Sequence, residues 1–154
     1  MARTLSVPIQ KRFSDVDAFQ HVNNVSQQCY FDVGKTDFYR RVLGEEVLLG
    51  ALRVVTVSTS TSYMGQIRMY DDLRVTTTCE RVGTKSMTLF QQLLVGDEVR
   101  SQSRTVPVVF PFHPQRTEPV PDARPARLLA AQGLSPTTAG AYARLARPST
   151  HPPC

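Results

Sequence analysis

The segment FSDVDAFQHVNN, residues 13–24, concentrates side chains that could do chemistry: the carboxylates Asp15 and Asp17, the imidazole of His21, and two adjacent asparagines. A carboxylate can attack a carbonyl carbon or activate a water molecule, and a histidine can move a proton or orient a ligand. The segment lies between a strand-like run and a helix-like run. A carboxylate just before a helix lies beside backbone N–H groups that carry partial positive charge and can bind an oxyanion. The segment is therefore compatible with a site that polarises a carbonyl group while a carboxylate acts on it.

Helix capping explains the same residue types without any chemistry. Asp and Asn are preferred immediately before a helix because their side-chain oxygens accept hydrogen bonds from its first N–H groups. Asp15 or Asn23 could fill that position. Spacing alone favours capping, and both interpretations stay open at this point.

A long helix is predicted directly after this segment. Residues 24–42 carry apolar side chains at helical spacing, and Gly44 follows where a helix would end. The predicted apolar stripe contains Val25, Cys29 and Val33 and is widened by Tyr30, Phe38 and Val42. Cys29 is expected to pack in the core.

The remaining strands are predicted from alternation of apolar and polar residues. Residues 4–13 indicate a first strand, and residues 52–64 a long second one with Val55, Val57, Thr59, Thr61 and Tyr63 on one face. The runs 70–82, 85–95 and 98–112 alternate in the same way and are separated by the turn residues 83–84 and 96–97. The predicted order is strand, helix, then four meandering strands. One long helix must bury its stripe on such a sheet, so the fold class is α+β, with the helix wrapped by the sheet or laid across it.

Composition indicates one domain with a basic C-terminal segment. The 154 residues suffice for one hydrophobic core. The formal net charge of +5 comes from residues 100–154, where 7 arginines face 2 acids, and ten of the eleven prolines lie from Pro107 onward. These arginines stand singly among Pro and Ala, which favours a solvated tail over a nucleic-acid site. Three cysteines without metal-like spacing and the absence of a signal-like N-terminus predict a cytoplasmic protein without a membrane span.

The motif RFSDVDAFQHVNN, together with the following helix, the long strand, YDD, KS and VVFPF, resembles the hotdog-fold acyl-CoA thioesterases of the 4-hydroxybenzoyl-CoA thioesterase type. The likeness spans about residues 3–125, and the step from Asp17 to HVNN is its most specific part. The resemblance implies an α+β hotdog fold, in which a five- to six-stranded antiparallel sheet wraps a long central helix. The expected organisation is a thioesterase domain over 1–125, followed by a short helix and a Pro/Ala/Ser-rich tail over 126–154.

The resemblance also implies roles for the motif residues. Asp17 is implied to be the catalytic carboxylate, as nucleophile or as general base, and Asp15 to be structural. The backbone N–H at the helix start, near Asn24, is implied to hold the thioester carbonyl. His21 either orients the loop, contacts the substrate or lies exposed. The sequence departs from many relatives at Gln27, where they carry an aromatic residue, and this departure affects the shape of the pocket.

Ligand and partners follow from the same resemblance. Basic residues are expected near the phosphates of CoA: Lys85, which with Ser86 matches a basic-residue-plus-serine step of the family, then Arg81 and Arg116. No separate cofactor or metal is expected, because CoA is part of the substrate. The expected assembly is a homodimer whose sheets join edge to edge with the active sites at the interface, and beyond it a dimer of dimers.

Three functions are compatible with these residues. The first is hydrolysis of an acyl-CoA to a free acid and CoA, with a carrier-protein thioester as an alternative substrate. The second is a non-catalytic hotdog module that binds acyl-CoA as a sensor or retains a ligand. The third, nucleic-acid binding through the C-terminal segment, rests on charge alone. Asp17 at the expected position favours the enzyme.

Overall fold

An antiparallel sheet with one long helix packed on it makes up the described part of the chain. The computed structural model describes residues 3–45 and 52–111, with the side chains at 52, 110 and 111 left out. The helix and its sheet consist of these elements: β1 (Thr4–Pro8), α1 (Asn24–Phe38), β2 (Leu52–Tyr63), β3 (Leu73–Val82), β4 (Met87–Val95) and β5 (Glu98–Pro111). The predicted helix and tail over 126–154, and Arg116, lie outside the described residues.

The order of strands in the sheet is β1-β3-β4-β5-β2, and all neighbours are antiparallel. Short turns join β3 to β4 and β4 to β5, as predicted. The prediction that four strands form a continuous meander is wrong, because β2 pairs with β5 at the sheet edge and not with β3. The segment 64–72 separates β2 from β3 and is long enough to carry the chain to another position in the sheet. A tight two-residue turn would have forced the two strands to pair.

A β-bulge divides the long edge strand β2. The pairing with β5 shifts between Thr56, which lies opposite Pro107, and Ser58, which lies opposite Val106. An extra residue in one strand reverses the alternation of faces beyond it. The prediction that Val55 and Val57 share a face with the threonines that follow is therefore wrong for Val55.

The face that the helix presents to the sheet agrees with only part of the predicted stripe. It packs on β1, β3 and β4, and its buried residues are Gln27, Tyr30, Phe31, Gly34, Asp37 and Phe38. Val25 is 74% exposed and Val33 is 45% exposed, and Cys29 is exposed as well. Burying three aromatic rings removes far more apolar surface from water than burying two valines and a cysteine. The prediction is therefore wrong for Val25, Cys29 and Val33 and confirmed for Tyr30, Phe38 and Val42.

The end of the helix agrees with the prediction more closely. A wider, π-helical turn over Tyr39–Leu43 continues α1. The chain then leaves the helical path at Gly44, which has a φ of 82° that favours glycine.

Two apolar clusters lie under the helix, separated by a polar layer. One cluster contains Phe38, Met87 and Leu89, and the other contains Phe31, Leu73 and Leu93. Between them the buried Gln91 side chain donates from Nε2 to the Phe31 carbonyl at 2.9 Å and to Thr77 Oγ1 at 3.0 Å.

Gly34 lies directly over this layer. A Cβ atom there would stand 2.8 Å from Gln91 Nε2 and 2.9 Å from Thr77 Oγ1. Only a residue without a side chain lets the helix approach the sheet this closely. The polar layer therefore fixes the height of the helix above the sheet, and with it the position of the helix start.

Candidate active site

A tight reversal of the chain brings the predicted site residues together. Val16 and Val22 form an antiparallel bridge. Between them the Asp17 N–H donates to the His21 carbonyl at 3.0 Å, and the Gln20 N–H donates to the Asp17 carbonyl at 2.9 Å. Gln20 adopts a φ of 63°, a left-handed conformation that tight reversals require. The reversal places Asp17 beside the first turn of α1.

The Asp17 carboxylate is held by one oxygen. Its Oδ1 accepts a hydrogen bond from the Phe19 N–H at 2.9 Å, which fixes the side chain over its own turn. Among the residues that the structure describes, no group donates to Oδ2. One oxygen thus orients the carboxylate, and the other remains available to act on a ligand.

The start of α1 is capped and still offers donors. Asn23 is the N-cap, and its Oδ1 accepts from the Ser26 N–H at 2.8 Å. Within residues 3–45 and 52–111, the N–H groups of Asn24 and Val25 donate to no protein acceptor. Capping and a site for a developing negative charge therefore coexist at this helix end, because one side chain satisfies one of the four N–H groups.

Asp15 ties the reversal to the helix and is not the cap. It is 5% exposed, and its Oδ2 accepts from the Tyr30 hydroxyl at 2.6 Å and from the Arg12 N–H at 2.8 Å. The Asp15 carbonyl accepts from the Asn23 N–H at 3.0 Å. Burial opposes ionisation of this carboxyl, but the hydrogen bonds from Tyr30 and Arg12 outweigh burial and hold the Asp15 pKa below its ordinary value. The contacts are those of a structural residue.

A cleft of about 520 Å³ opens beside the helix start. Two elements form its walls: the reversal with the first turn of α1, and the end of β2 with the segment after it. The residues that line it are Asp17, Phe19, His21, Val22, Asn23, Asn24, Gln27, Tyr63, Met64, Gly65 and Gln66. Asp17, His21 and Asn24, three residues predicted for the site, therefore share one cavity. Within the described residues the His21 side chain makes no hydrogen bond, whereas its carbonyl closes the reversal.

Several lining residues were not singled out for the site from the sequence. Tyr63 and Met64 come from the end of the edge strand, which lies far from the motif in sequence. The N–H groups of Met64 and Gly65 both donate to the Arg100 carbonyl, at 2.8 and 2.9 Å. A wall formed by segments distant in sequence leaves no local pattern. Gln27, by contrast, can be placed near the site from the sequence, because it lies three residues after Asn24 and therefore on the same side of the helix.

Two of the three basic residues predicted to bind CoA, Lys85 and Arg81, are not among the described residues that line this cleft. Lys85 lies in the turn between β3 and β4, where its carbonyl accepts from the Val109 N–H at 3.0 Å. Arg81 lies near the end of β3, opposite Thr88. Both belong to the end of the sheet remote from the cleft, since the cleft adjoins Tyr63, which pairs with Ser101. Their role toward CoA stays a prediction.

No helix among the described residues is long and apolar enough to cross a membrane. No group of three or more His, Cys, Asp or Glu side chains in the same part of the chain has the arrangement of a metal site.

Comparison with known proteins identifies the family. A model of the thioesterase-like superfamily matches residues 12–132. An uncharacterised Bacillus subtilis protein, YsmA, is 30% identical over 81 residues, which are 53% of this chain and 54% of that protein; the match thus spans about half of this curated relative.

Solved structures share the fold. A predicted thioesterase from Bacillus stearothermophilus superposes with a TM-score of 0.70 at 26% identity, over 88% of this chain and all of that one. A thioesterase from Thermus thermophilus, solved with coenzyme A and zinc, gives a TM-score of 0.66 at 21% identity, over 82% of this chain and 92% of that one. The α+β hotdog fold is thereby confirmed. With the family match across the cleft, the helix and the sheet, the chain belongs to the thioesterase-like superfamily.

Proposed function

We propose that the protein is an acyl-CoA thioesterase, which hydrolyses an acyl-CoA to a free acid and CoA. The observation that carries the proposal is one cleft that holds both the Asp17 carboxylate, with its Oδ2 unengaged, and the helix start, with the N–H groups of Asn24 and Val25 unengaged. The Thermus thermophilus thioesterase, which has the same fold, is bound to coenzyme A. This supports CoA as the carrier of the acyl group.

The chemistry follows from the two parts of the site. The thioester carbonyl oxygen accepts hydrogen bonds from the helix-start N–H groups, which stabilise the negative charge that develops there. Asp17 then acts in one of two ways. As a nucleophile it forms an acyl–carboxylate anhydride while the C–S bond breaks and CoA leaves as a thiolate; water then hydrolyses the anhydride to the free acid and the Asp17 carboxylate, and a proton from that water passes to the thiolate. As a general base it takes a proton from water, the resulting hydroxide adds to the carbonyl carbon, and the proton passes to the departing thiolate.

The described surface supports a homodimer of this enzyme. Apolar surface has no partner within the described part of the chain: the helix face of Val25, Cys29 and Val33, and Val55 and Val57 on the edge strand, are exposed there. The row of backbone groups on the outer side of β2 is also unpaired within the described sheet. A second copy that pairs its β2 there would cover both surfaces.

The test is a CoA-release assay with a thiol reagent on short, long and aromatic acyl-CoAs, with wild type and Asp17→Asn in parallel. Asp17→Asn keeps the size of the side chain and removes its charge, so we expect kcat to fall by about 10² to 10⁴. Asp72→Asn is the matched control, because Asp72 is exposed and lies outside the cleft. Thermal melting of both variants should match wild type.

Two outcomes would contradict the proposal. If wild type releases no CoA from any member of the panel and still binds acyl-CoA, the protein is a binding module. If Asp17→Asn retains wild-type kcat, the carboxylate is not catalytic.

A further inference from the structure

We propose that Gln27 makes this enzyme selective for acyl groups that carry a hydroxyl on the third carbon, the β-carbon of the acyl chain. The inference rests on the proposed thioesterase function and names its substrate class. It starts from the Gln27 side chain, which is 4% exposed and lines the same cleft as Asp17.

One end of the Gln27 amide is fixed by the protein and the other is not. Nε2 donates to the Val22 carbonyl at 3.2 Å. Because a carbonyl accepts only from a donor, the nitrogen must lie at that end, and the oxygen lies at the other. Among the described residues Oε1 receives no hydrogen bond. A buried acceptor without a donor is unfavourable, and such a group commonly receives its donor from a water or a ligand.

The position of Gln27 sets which part of the substrate it meets. It lies three residues after Asn24 on α1, and residues at that spacing are neighbours on one side of a helix, about 5–6 Å apart at Cβ. With the thioester oxygen on the Asn24 N–H, Gln27 is level with the first carbons of the acyl chain rather than with its far end. A hydroxyl on the β-carbon is the donor that this distance suits.

The neighbouring wall of the cleft is also polar. Tyr63 lines the cleft, and its hydroxyl accepts from Gln28 Nε2 at 2.8 Å. An unbranched alkyl chain donates no hydrogen bond to the Gln27 oxygen, whereas a chain with a hydroxyl group can donate one.

The experiment compares kcat/KM for matched pairs: butanoyl-CoA against each enantiomer of 3-hydroxybutanoyl-CoA, and octanoyl-CoA against each enantiomer of 3-hydroxyoctanoyl-CoA. Sites built to hydrogen-bond a substrate hydroxyl discriminate strongly against the analogue that lacks it. We expect wild type to favour one hydroxylated enantiomer by about 10-fold or more. Gln27→Met keeps the length of the side chain and removes the acceptor, so the preference should fall to about 1.

Two variants separate selectivity from stability. Gln92→Met makes the same change on β4, on the face away from the helix, and should keep the wild-type preference. Gln27→Glu retains an acceptor oxygen and should keep a preference for the hydroxylated chain. Circular dichroism shows whether Gln27→Met is folded, and if it is not, the wild-type preference decides.

The outcomes distinguish this inference from the function on which it rests. Release of CoA from both members of each pair at equal kcat/KM overturns the selectivity and leaves the thioesterase standing. The same holds if folded Gln27→Met keeps the wild-type preference. Absence of CoA release from all of these substrates by wild type, together with a negative wider panel, overturns both.

Discussion

At the scale of single residues, the two aspartates of the motif differ because their surroundings differ. Asp15 is buried, and its carboxylate is engaged by Tyr30 and by the backbone of Arg12. Asp17 is only partly buried, and its one described hydrogen bond comes from its own turn. A carboxylate whose lone pairs are occupied holds the chain in place, whereas one with an unengaged oxygen can meet a substrate. Asp15 therefore holds the chain in place, and Asp17, two residues later, lines the cleft.

The structural role of Asp15 predicts a pH dependence of stability. Because its pKa is lowered from the ordinary 3.8 in the folded chain, its ionised form stabilises the fold at pH values above about 4, and this stabilisation is lost as pH falls through the lowered pKa. Asp15→Asn should therefore reduce the free energy of unfolding at pH 7 by about 1–3 kcal/mol. Urea titrations of wild type and variant at several pH values between 7 and 3 measure the difference.

The difference between the two proteins should shrink progressively below about pH 4, as pH falls through the lowered Asp15 pKa and wild type loses the charge as well. Tyr30→Phe is the companion variant, since it removes one donor to the same carboxylate. A difference that stays constant down to pH 3 would show that the Asp15 charge contributes nothing.

At the scale of elements, the height of α1 over the sheet depends on one small residue. Gly34 approaches Gln91 and Thr77 so closely that no Cβ fits without a shift. The first turn of the same helix carries Asn24 and Gln27. Because a helix moves as a rigid element, a displacement at Gly34 also shifts these two residues at the cleft. The element thereby couples the packing of the core to the geometry of the site.

Gly34→Ala tests this coupling. The added methyl group should destabilise the fold by about 1–3 kcal/mol through overpacking, and it should lower kcat as well because the helix start moves. Thermal and urea unfolding measure the first effect, and CoA release measures the second. Thr36→Ala, on an exposed position of the same helix, is the control and should leave both nearly unchanged. A Gly34→Ala protein with wild-type stability would mean that the helix can rise without cost.

At the scale of the whole molecule, a long edge strand and one helix face have no partner among residues 3–45 and 52–111. Long exposed edges are unusual in chains that stay monomeric, because their backbone groups invite pairing. The cleft lies at the end of this same edge strand, near Tyr63. A partner along β2 would therefore change the surroundings of the site as well as cover the surface.

We predict a dimer in sedimentation velocity, with tetramers as the next species at higher concentration. Val33→Asp places a charge on the exposed helix face and should shift the protein toward monomer and reduce activity in parallel, because burying an unpaired charge at an interface is costly. Thr84→Asp, in the exposed turn after β3, is the control. A wild type that sediments as a fully active monomer would contradict the prediction.

What could be predicted from the sequence was local. The capped helix start, the glycine that ends the helix and the turns between β3, β4 and β5 depend on residues that are neighbours in the chain, and each agrees with the structure. The motif with Asp17, His21 and Asn24 is equally local, because one short reversal holds all three. Resemblance then supplied the fold, which the comparisons confirm.

What the sequence left undecided required contacts between distant segments. The rotation of α1 depends on which side chains the sheet can cover, and the large aromatic rings prevailed over the regularly spaced Val25, Cys29 and Val33. The place of β2 beside β5 depends on a connection too long to dictate pairing, and its change of face depends on a bulge. The cleft itself needs the end of β2 to reach the helix start. Periodicity and spacing describe one element at a time, so the tertiary structure alone decided that the end of β2 and the segment after it form the wall that faces Asp17.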